Sequence, residues 1–234
     1  MKRVILKISG EALAGANGTG INAAYVKKIA LEIKALYEKV DELGIIVGAG
    51  NIWRGRDAVE NDMNRSSADY MGMLGTILNS LALQNALESV GCQTRVMSSL
   101  SIPSVCEPYI RRKALAHLEK KIIVIFGGGT GNPYFSTDTA AALRAAEIEA
   151  DYILMAKNGV DGVYNDDPRK NPNAKRYETL SYDEMIQKQL LVMDLTSVTL
   201  CRENKIKLIV FDMNVEGNIA KVVDQPEIGT IISE

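Results

Sequence analysis

Apolar residues in this chain come in short runs separated by longer stretches of helical period. The runs at 4–8, 43–47, 93–97, 122–126, 152–156, 207–211 and 229–232 are rich in Val and Ile and read as buried strands. Between the first two, 24–40 puts Val26, Ile29, Ile33, Leu36 and Tyr37 on one helical face. Further helices are expected at 67–90, 111–119, 139–147, 182–188 and 194–204. Segment 57–65 is polar and reads as irregular. Segment 158–175 carries Gly159, Gly162, Pro168 and Pro172 and reads as a long loop, with a small hairpin at Val163 and Tyr164. Continuous apolar strands alternating with helices predict a single three-layer α/β/α domain around a mostly parallel sheet. The run after Asn158 marks at most a boundary between lobes.

Three glycine-containing turns follow strands, at the strand ends where open α/β sheets collect ligands. The first is Lys7-Ile8-Ser9-Gly10, followed by a glycine-containing segment at 15–20. The second is Gly48-Ala49-Gly50-Asn51. The third, GGGTGNPYFSTD at 127–138, leads into an alanine-rich helix. Glycine lets backbone approach a ligand closely, and a helix N-terminus favours an anion. Ser136 or Thr137 is the candidate N-cap, with Asp138 in the first turn. The turns bring two cations, Lys7 and Arg54, and one carboxylate, Asp138. These are parts of a phosphoryl-transfer site, which works by positioning and charge neutralisation. Lys7 would bridge donor and acceptor phosphates and Arg54 would hold one bidentately. Asp138 would orient the lysine or hold magnesium. No G-x-x-x-x-G-K-[ST] occurs, and Trp53 and Asn132 stand where G-x-G-x-x-G needs its last glycine. P-loop and dinucleotide-binding readings therefore lose support.

Composition narrows the classes further. The 234 residues are 47% hydrophobic and 24% charged, as an ordinary globular core requires. A net charge of −2 argues against a dominant nucleic-acid face. No apolar run is long enough for a membrane span, and the start reads as a first strand, not a signal peptide. Cys92, Cys106 and Cys201 are widely separated and read as free thiols of a cytoplasmic protein. The only histidine, His117, is expected on the surface, so a zinc site has few ligands to draw on.

Six motifs in order resemble the uridylate kinase branch of the amino acid kinase family over essentially the whole chain. They are KISGEAL at 7–13, GAGNIWRG at 48–55, MGML at 71–74, TGNPYFSTD at 130–138, VDGVY at 160–164 and VMDL at 192–195. TGNPYFSTD is specific to that branch; K-x-S-G marks only the wider family. The resemblance implies transfer of the γ-phosphoryl group of ATP to UMP, with Mg2+ accompanying ATP and no further metal site. It also implies a homohexamer, UTP and GTP as effectors, and a place in pyrimidine nucleotide synthesis. One domain over 1–234 would have a UMP-side lobe at about 1–150 and an ATP-side lobe at about 151–234. By resemblance, Lys7, Ile8, Ser9 and Gly10 form the ATP-phosphate turn, and Gly50 and Arg54 sit at the phosphates between the nucleotides. Asn158, Tyr164 and Asp167 are ATP-side contacts. Asp69 contacts UMP, suited to ribose hydroxyls. Ala49 and the loop Thr130, Gly131, Asn132, Pro133, Tyr134, Phe135, Ser136 and Thr137 bind UMP. Lys7, Arg54, Asp138 and Asp194 form the catalytic set, the two carboxylates organising the cations. Where the family reads Gly-Gly-Gly-Asn, this chain has Ala49, which would be strained if the position needs positive φ.

Each residue also has an ordinary reading. Lys7 is a solvated lysine, Arg54 a surface cation stacked on Trp53, and Asp69, Asp138 and Asp194 are helix caps. Met71, Met73, Leu74, Ile77, Leu78, Leu81 and Leu83 build core and a subunit contact. A non-catalytic nucleotide sensor on the same scaffold is the competing class. It could dispense with Lys7 or Asp138, both of which this chain keeps. A kinase for an acidic amino acid or carbamate is opposed by Asp69 and TGNPYFST.

Overall fold

The computed structural model describes residues 1–53, 62–168, 170–190 and 192–234. Every apolar run expected as a strand becomes one. The strands are β1 (Arg3–Ile8), β2 (Glu42–Val47), β3 (Thr94–Ser98), β5 (Ile123–Gly127), β6 (Tyr152–Lys157), β8 (Lys207–Asp212) and β9 (Thr230–Ser233). Two more, β4 (Glu107–Pro108) and β7 (Thr179–Ser181), were not expected. Their two and three residues are too few to show a period. Among the described residues all nine form one sheet in the order β4-β3-β5-β2-β1-β6-β8-β9-β7. Every pairing is parallel except β8 with β9.

Helices cover both faces. Among the described residues they are α1 (Glu11–Ala14), α2 (Ala23–Tyr37), α3 (Arg65–Ser89), α4 (Arg111–Glu119), α5 (Thr137–Glu147), α6 (Tyr182–Gln187), α7 (Leu195–Glu203) and α8 (Asn218–Lys221). The expected three-layer sandwich is the observed one. Alternation along β1 assigns its side chains. Val4, Leu6 and Ile8 join Ile29 and Ile33 of α2 and Leu83 and Leu87 of α3 in one core. Ile5 joins Ala141, Ala142 and Ala145 of α5 in the other. Lys7 is two residues beyond Ile5 and therefore lies on the α5 face. β6 repeats the pattern: Ile153 and Met155 belong to the α5-side core, so Lys157 shares that face.

The chain leaves β1 for β2 on one side, and β6 pairs on the other, so the connectivity reverses at β1. That switch point opens a crevice at the carboxyl ends of β1, β2, β5 and β6. The expected hairpin near Val163 reduces to one antiparallel bridge, Tyr164 with Arg176. His117 departs from its expected surface position. It is half-buried, with Nε2 3.2 Å from a Glu107 carboxylate oxygen.

Candidate active site

The three glycine turns meet in the crevice. A β-carbon on Gly10 would lie 2.4 Å from the Gly48 carbonyl oxygen and 2.5 Å from Asn51 Oδ1, so only glycine lets the first and second turns touch. A β-carbon on Gly48 would in turn meet Thr137 Oγ1 of the third turn at 3.7 Å. In the third turn Gly128, Gly129 and Gly131 take positive φ, with the Gly131 N–H donating to the Gly128 carbonyl at 2.9 Å.

Buried polar groups of α3 hold these turns, and sequence reasoning missed them. Asn79 is fully buried and forms a reciprocal amide pair with Asn51, at 2.7 and 3.0 Å. Asn79 also donates to the Gly48 carbonyl, and Asn51 to the Gly20 carbonyl, both at 2.7 Å. Thr76 Oγ1 accepts from the Gly128 N–H at 2.9 Å. The available signal was a set of polar residues, Thr76, Asn79 and Ser80, among the apolar Met73, Ile77 and Leu83. Polar groups buried in a core are there because they are hydrogen-bonded.

Asp69 is not a helix cap. Asn64 caps α3, its side chain accepting from Ser67 N–H. Asp69 Oδ2 instead accepts the backbone N–H of Tyr134 at 2.7 Å and lies 3.8 Å from Arg65 Nε. Tyr134 has φ 73°, a conformation tyrosine rarely adopts. The Arg65 guanidinium covers its ring at 4.9 Å. Asp69 thus tethers the loop of Thr130, Gly131, Asn132, Pro133, Tyr134, Phe135, Ser136 and Thr137 to α3. Tyr134 and Phe135 stand exposed above the crevice.

The charges gather beneath that loop. Ser136 caps α5, accepting from Asp138 and Thr139 N–H, and Asp138 projects from the first turn. Its Oδ1 lies 2.5 Å from Lys7 Nζ, and its Oδ2 lies 3.7 Å from Lys157 Nζ. Lys157 has no place in the sequence reading. Its signal was a lysine at the end of a strand, on the same face as Lys7. Its ammonium also donates to the Val192 carbonyl at 2.6 Å. Burial and the neighbouring Lys7 pull its pKa below the ordinary lysine value, and Asp138 offsets only part of this.

The structure does not bring Asp194 to a lysine. Among the described residues it caps α7 through Ser197 N–H at 3.0 Å. It also accepts from the hydroxyls of Ser136, Thr139 and Ser197. Burial would raise its pKa, but these hydrogen bonds together hold it below the ordinary carboxylate value. Asp194 therefore clasps α7 to the start of α5.

Ile8 is buried in β1, and Ser9 Oγ accepts from the Glu11 N–H at 3.4 Å. Gly50 faces Glu11 across the crevice, a β-carbon there coming 3.5 Å from Glu11 Cγ. Ala49 is outside the positive-φ region, so the expected strain is absent. Its methyl points into α3, where a β-carbon on Gly75 would lie 3.0 Å away. Asn158 is exposed just beyond β6. Tyr164 and Asp167 border an open cleft of about 820 Å³, with Val163, Gln189 and Leu190 among its walls. The Tyr164 hydroxyl donates to Asp161 at 2.7 Å. Arg54, expected in the catalytic and ATP-binding sets, lies outside the described residues.

Among the described residues no cluster of three or more His, Cys, Asp or Glu side chains could hold a metal ion. Asp138 faces two ammonium groups and Asp194 is taken up by hydroxyls and an N–H. A magnesium ion here fits as one carried on substrate phosphates, which Mg2+ commonly prefers to an all-protein cage.

Glycine turns, paired lysines and a helix N-terminus at a sheet's switch point define a protein that handles phosphate groups. The amino acid kinase family profile matches residues 2–212. The UMP kinase of Ureaplasma parvum superposes with a TM-score of 0.95 at 41% identity, covering 100% of this chain and 99% of that one. The UMP kinase of Bacillus anthracis gives 0.95 at 40% identity, covering 99% and 95%. Uridylate kinase from Archaeoglobus fulgidus is more distant, with a TM-score of 0.72 at 26% identity over 98% and 99%. This chain belongs to the amino acid kinase family.

Proposed function

We propose that this protein is an ATP-dependent UMP kinase, transferring the γ-phosphoryl group of ATP to UMP. The observation that carries this reading is the full-length likeness to two bacterial UMP kinases at 40–41% identity. The geometry is consistent with the following mechanism. MgATP enters the cleft beside Tyr164 and Asp167, in the ATP-side part at about 151–234. UMP lies under the loop 130–137, in the part at about 1–150. The ribose hydroxyls face Asp69. The reacting phosphates meet over the Gly10–Gly48 contact. There Lys7 follows the negative charge as it shifts in transfer, and Asp138 keeps the ammonium aimed at it. Arg54 is assigned to the phosphates by resemblance, and Asp194 to keeping α5 and α7 together. Magnesium serves as the partner of ATP phosphates, neutralising their charge.

The family resemblance extends this reading to a homohexamer regulated by UTP and GTP, acting in the cytoplasm in pyrimidine nucleotide synthesis. Among the described residues no helix is long and apolar enough to cross a membrane. The apolar face of α3 supports assembly: Met71, Leu74 and Leu78 are exposed while Met73, Ile77 and Leu83 are buried. The test is a coupled assay of ADP formation with MgATP and UMP, CMP, dUMP or GMP in turn. UMP should give the highest kcat/KM. Turnover of another acceptor with none of UMP would overturn the proposal.

A further inference from the structure

We propose that Lys157 is a second phosphate-binding cation of the transfer centre, sharing Asp138 with Lys7 and taking a phosphate of the donor nucleotide. The inference rests on the kinase reading and adds a residue to it.

Position is the first argument. β6 pairs with β1 in parallel register, and Lys7 and Lys157 leave the same face of adjacent strands. Their ammonium groups approach opposite oxygens of one carboxylate, at 2.5 Å and 3.7 Å. On its other side Lys157 is held by the Val192 carbonyl at 2.6 Å. Val192 and Gly159 both wall the cleft that contains Tyr164 and Asp167. Lys157 therefore stands between the donor cleft and the Lys7–Asp138 pair, where a donor's terminal phosphates must pass to reach the acceptor.

Charge is the second. Two ammonium groups share one carboxylate at the N-terminus of α5, whose dipole adds further positive potential. Among the described residues the other carboxylates near Lys157 do not correct the imbalance. Asp212, its register partner on β8, accepts the N–H groups of Gly159 and Asn214. Asp194, two residues past Val192, is engaged by Ser136, Thr139 and Ser197. Part-burying a cation without a full counter-charge is unfavourable, and the lowered pKa of Lys157 reflects this. A phosphate supplies the missing charge. The same logic separates the two lysines: Lys7 has the close ion pair, while Lys157 is kept for the ligand.

The test uses the full chain with Lys157→Met and Lys157→Arg, read by MgATP titration calorimetry and by kcat/KM for ATP from pH 6 to 10. Lys157→Met should weaken MgATP binding at least about tenfold and lower kcat by about 100-fold, the loss typical of one stabilising donor. Lys157→Arg should retain binding. In the wild type, kcat/KM reports the free enzyme. It should decline at a pH below the ordinary lysine value, and in Lys157→Arg that alkaline limb should move upward because guanidinium does not titrate there. A purely structural lysine would alter Tm and leave the limb in place. Unchanged MgATP affinity and kcat in Lys157→Met would overturn the proposal. If that variant does not fold, superimposable alkaline limbs for wild type and Lys157→Arg would do the same. If the wild type does not phosphorylate UMP, the functional reading fails, and the MgATP titration still decides Lys157.

Discussion

Replacing Asp69 by Asn tests how the acceptor side is built. The carboxylate has two tasks on the proposed reading, and they fall on different oxygens. Oδ2 accepts the Tyr134 N–H and faces Arg65, and Oδ1 makes neither of these contacts. Asparagine can still accept one hydrogen bond, but it carries no charge. A hydrogen bond to a charged group contributes about 1.5–3 kcal/mol and a neutral one about 0.5–1.5 kcal/mol. The Tyr134 tether and the ribose contact should therefore each weaken by about 1 kcal/mol, together about 2 kcal/mol or roughly 30-fold in affinity. Steady-state kinetics should show KM for UMP raised by that order and KM for ATP nearly unchanged, since the ATP cleft is built from other elements. Preference for UMP over dUMP should narrow, because one of the lost partners is a hydroxyl. Tm should change little, since Asn64 rather than Asp69 caps α3. An unchanged KM for UMP with a clearly lower Tm would refute the reasoning.

Lys7→Met should lower kcat by about 100-fold or more while weakening nucleotide binding less, because the cation matters most as charge develops; near-normal kcat would remove Lys7 from the centre. Leu74→Glu together with Leu78→Glu should dissociate the assembly in sedimentation velocity, and a wild-type monomer at micromolar concentration would show that the α3 face has no partner copy. Asp194 has a folded-state pKa below its ordinary 3.8, so its stabilisation is complete above that value and is lost as pH falls through the folded one. The Tm gap between wild type and Asp194→Ala should thus be wide at pH 6 and close below about pH 3.8; a gap independent of pH would mean that the carboxylate's charge is not what holds α7 to α5.

The hydrophobic pattern carried the fold because the sheet is buried on both faces. Seven strands announced themselves as apolar runs, and α4 spans Arg111–Glu119, the segment its pattern indicated. β4 and β7 were invisible because strands this short are set by what they pair with, not by their own period. The turns and charges at the strand ends were also legible, since glycine, lysine and aspartate there have few other uses in combination. What could not be read was which polar residues of one element serve another. Asn79 and Thr76 sit in the middle of an apolar helix, and their partners are loop groups many residues away. Lys157 looked like the end of a strand until β6 was placed beside β1. Asp69 and Asp194 stood out in the sequence, but their partners, the Tyr134 N–H and the Ser136 hydroxyl, depend on how loops fold back.

Ala49 seemed to depart from a glycine pattern, yet its methyl fills a notch in α3 that exists because residue 75 is glycine. A glycine in a helix interior gives up about 1 kcal/mol relative to alanine, so Gly75 has a reason to be there. The two positions share one volume. With alanine at 49, a β-carbon at 75 fits only if the contact gives by a few tenths of an ångström, and glycine at 49 would relieve it. Seen this way the deviation at 49 is half of an exchange across the loop–helix contact. The methyl of Ala49 is thus spent on the loop–helix contact, and positions 49 and 75 are packed as a pair.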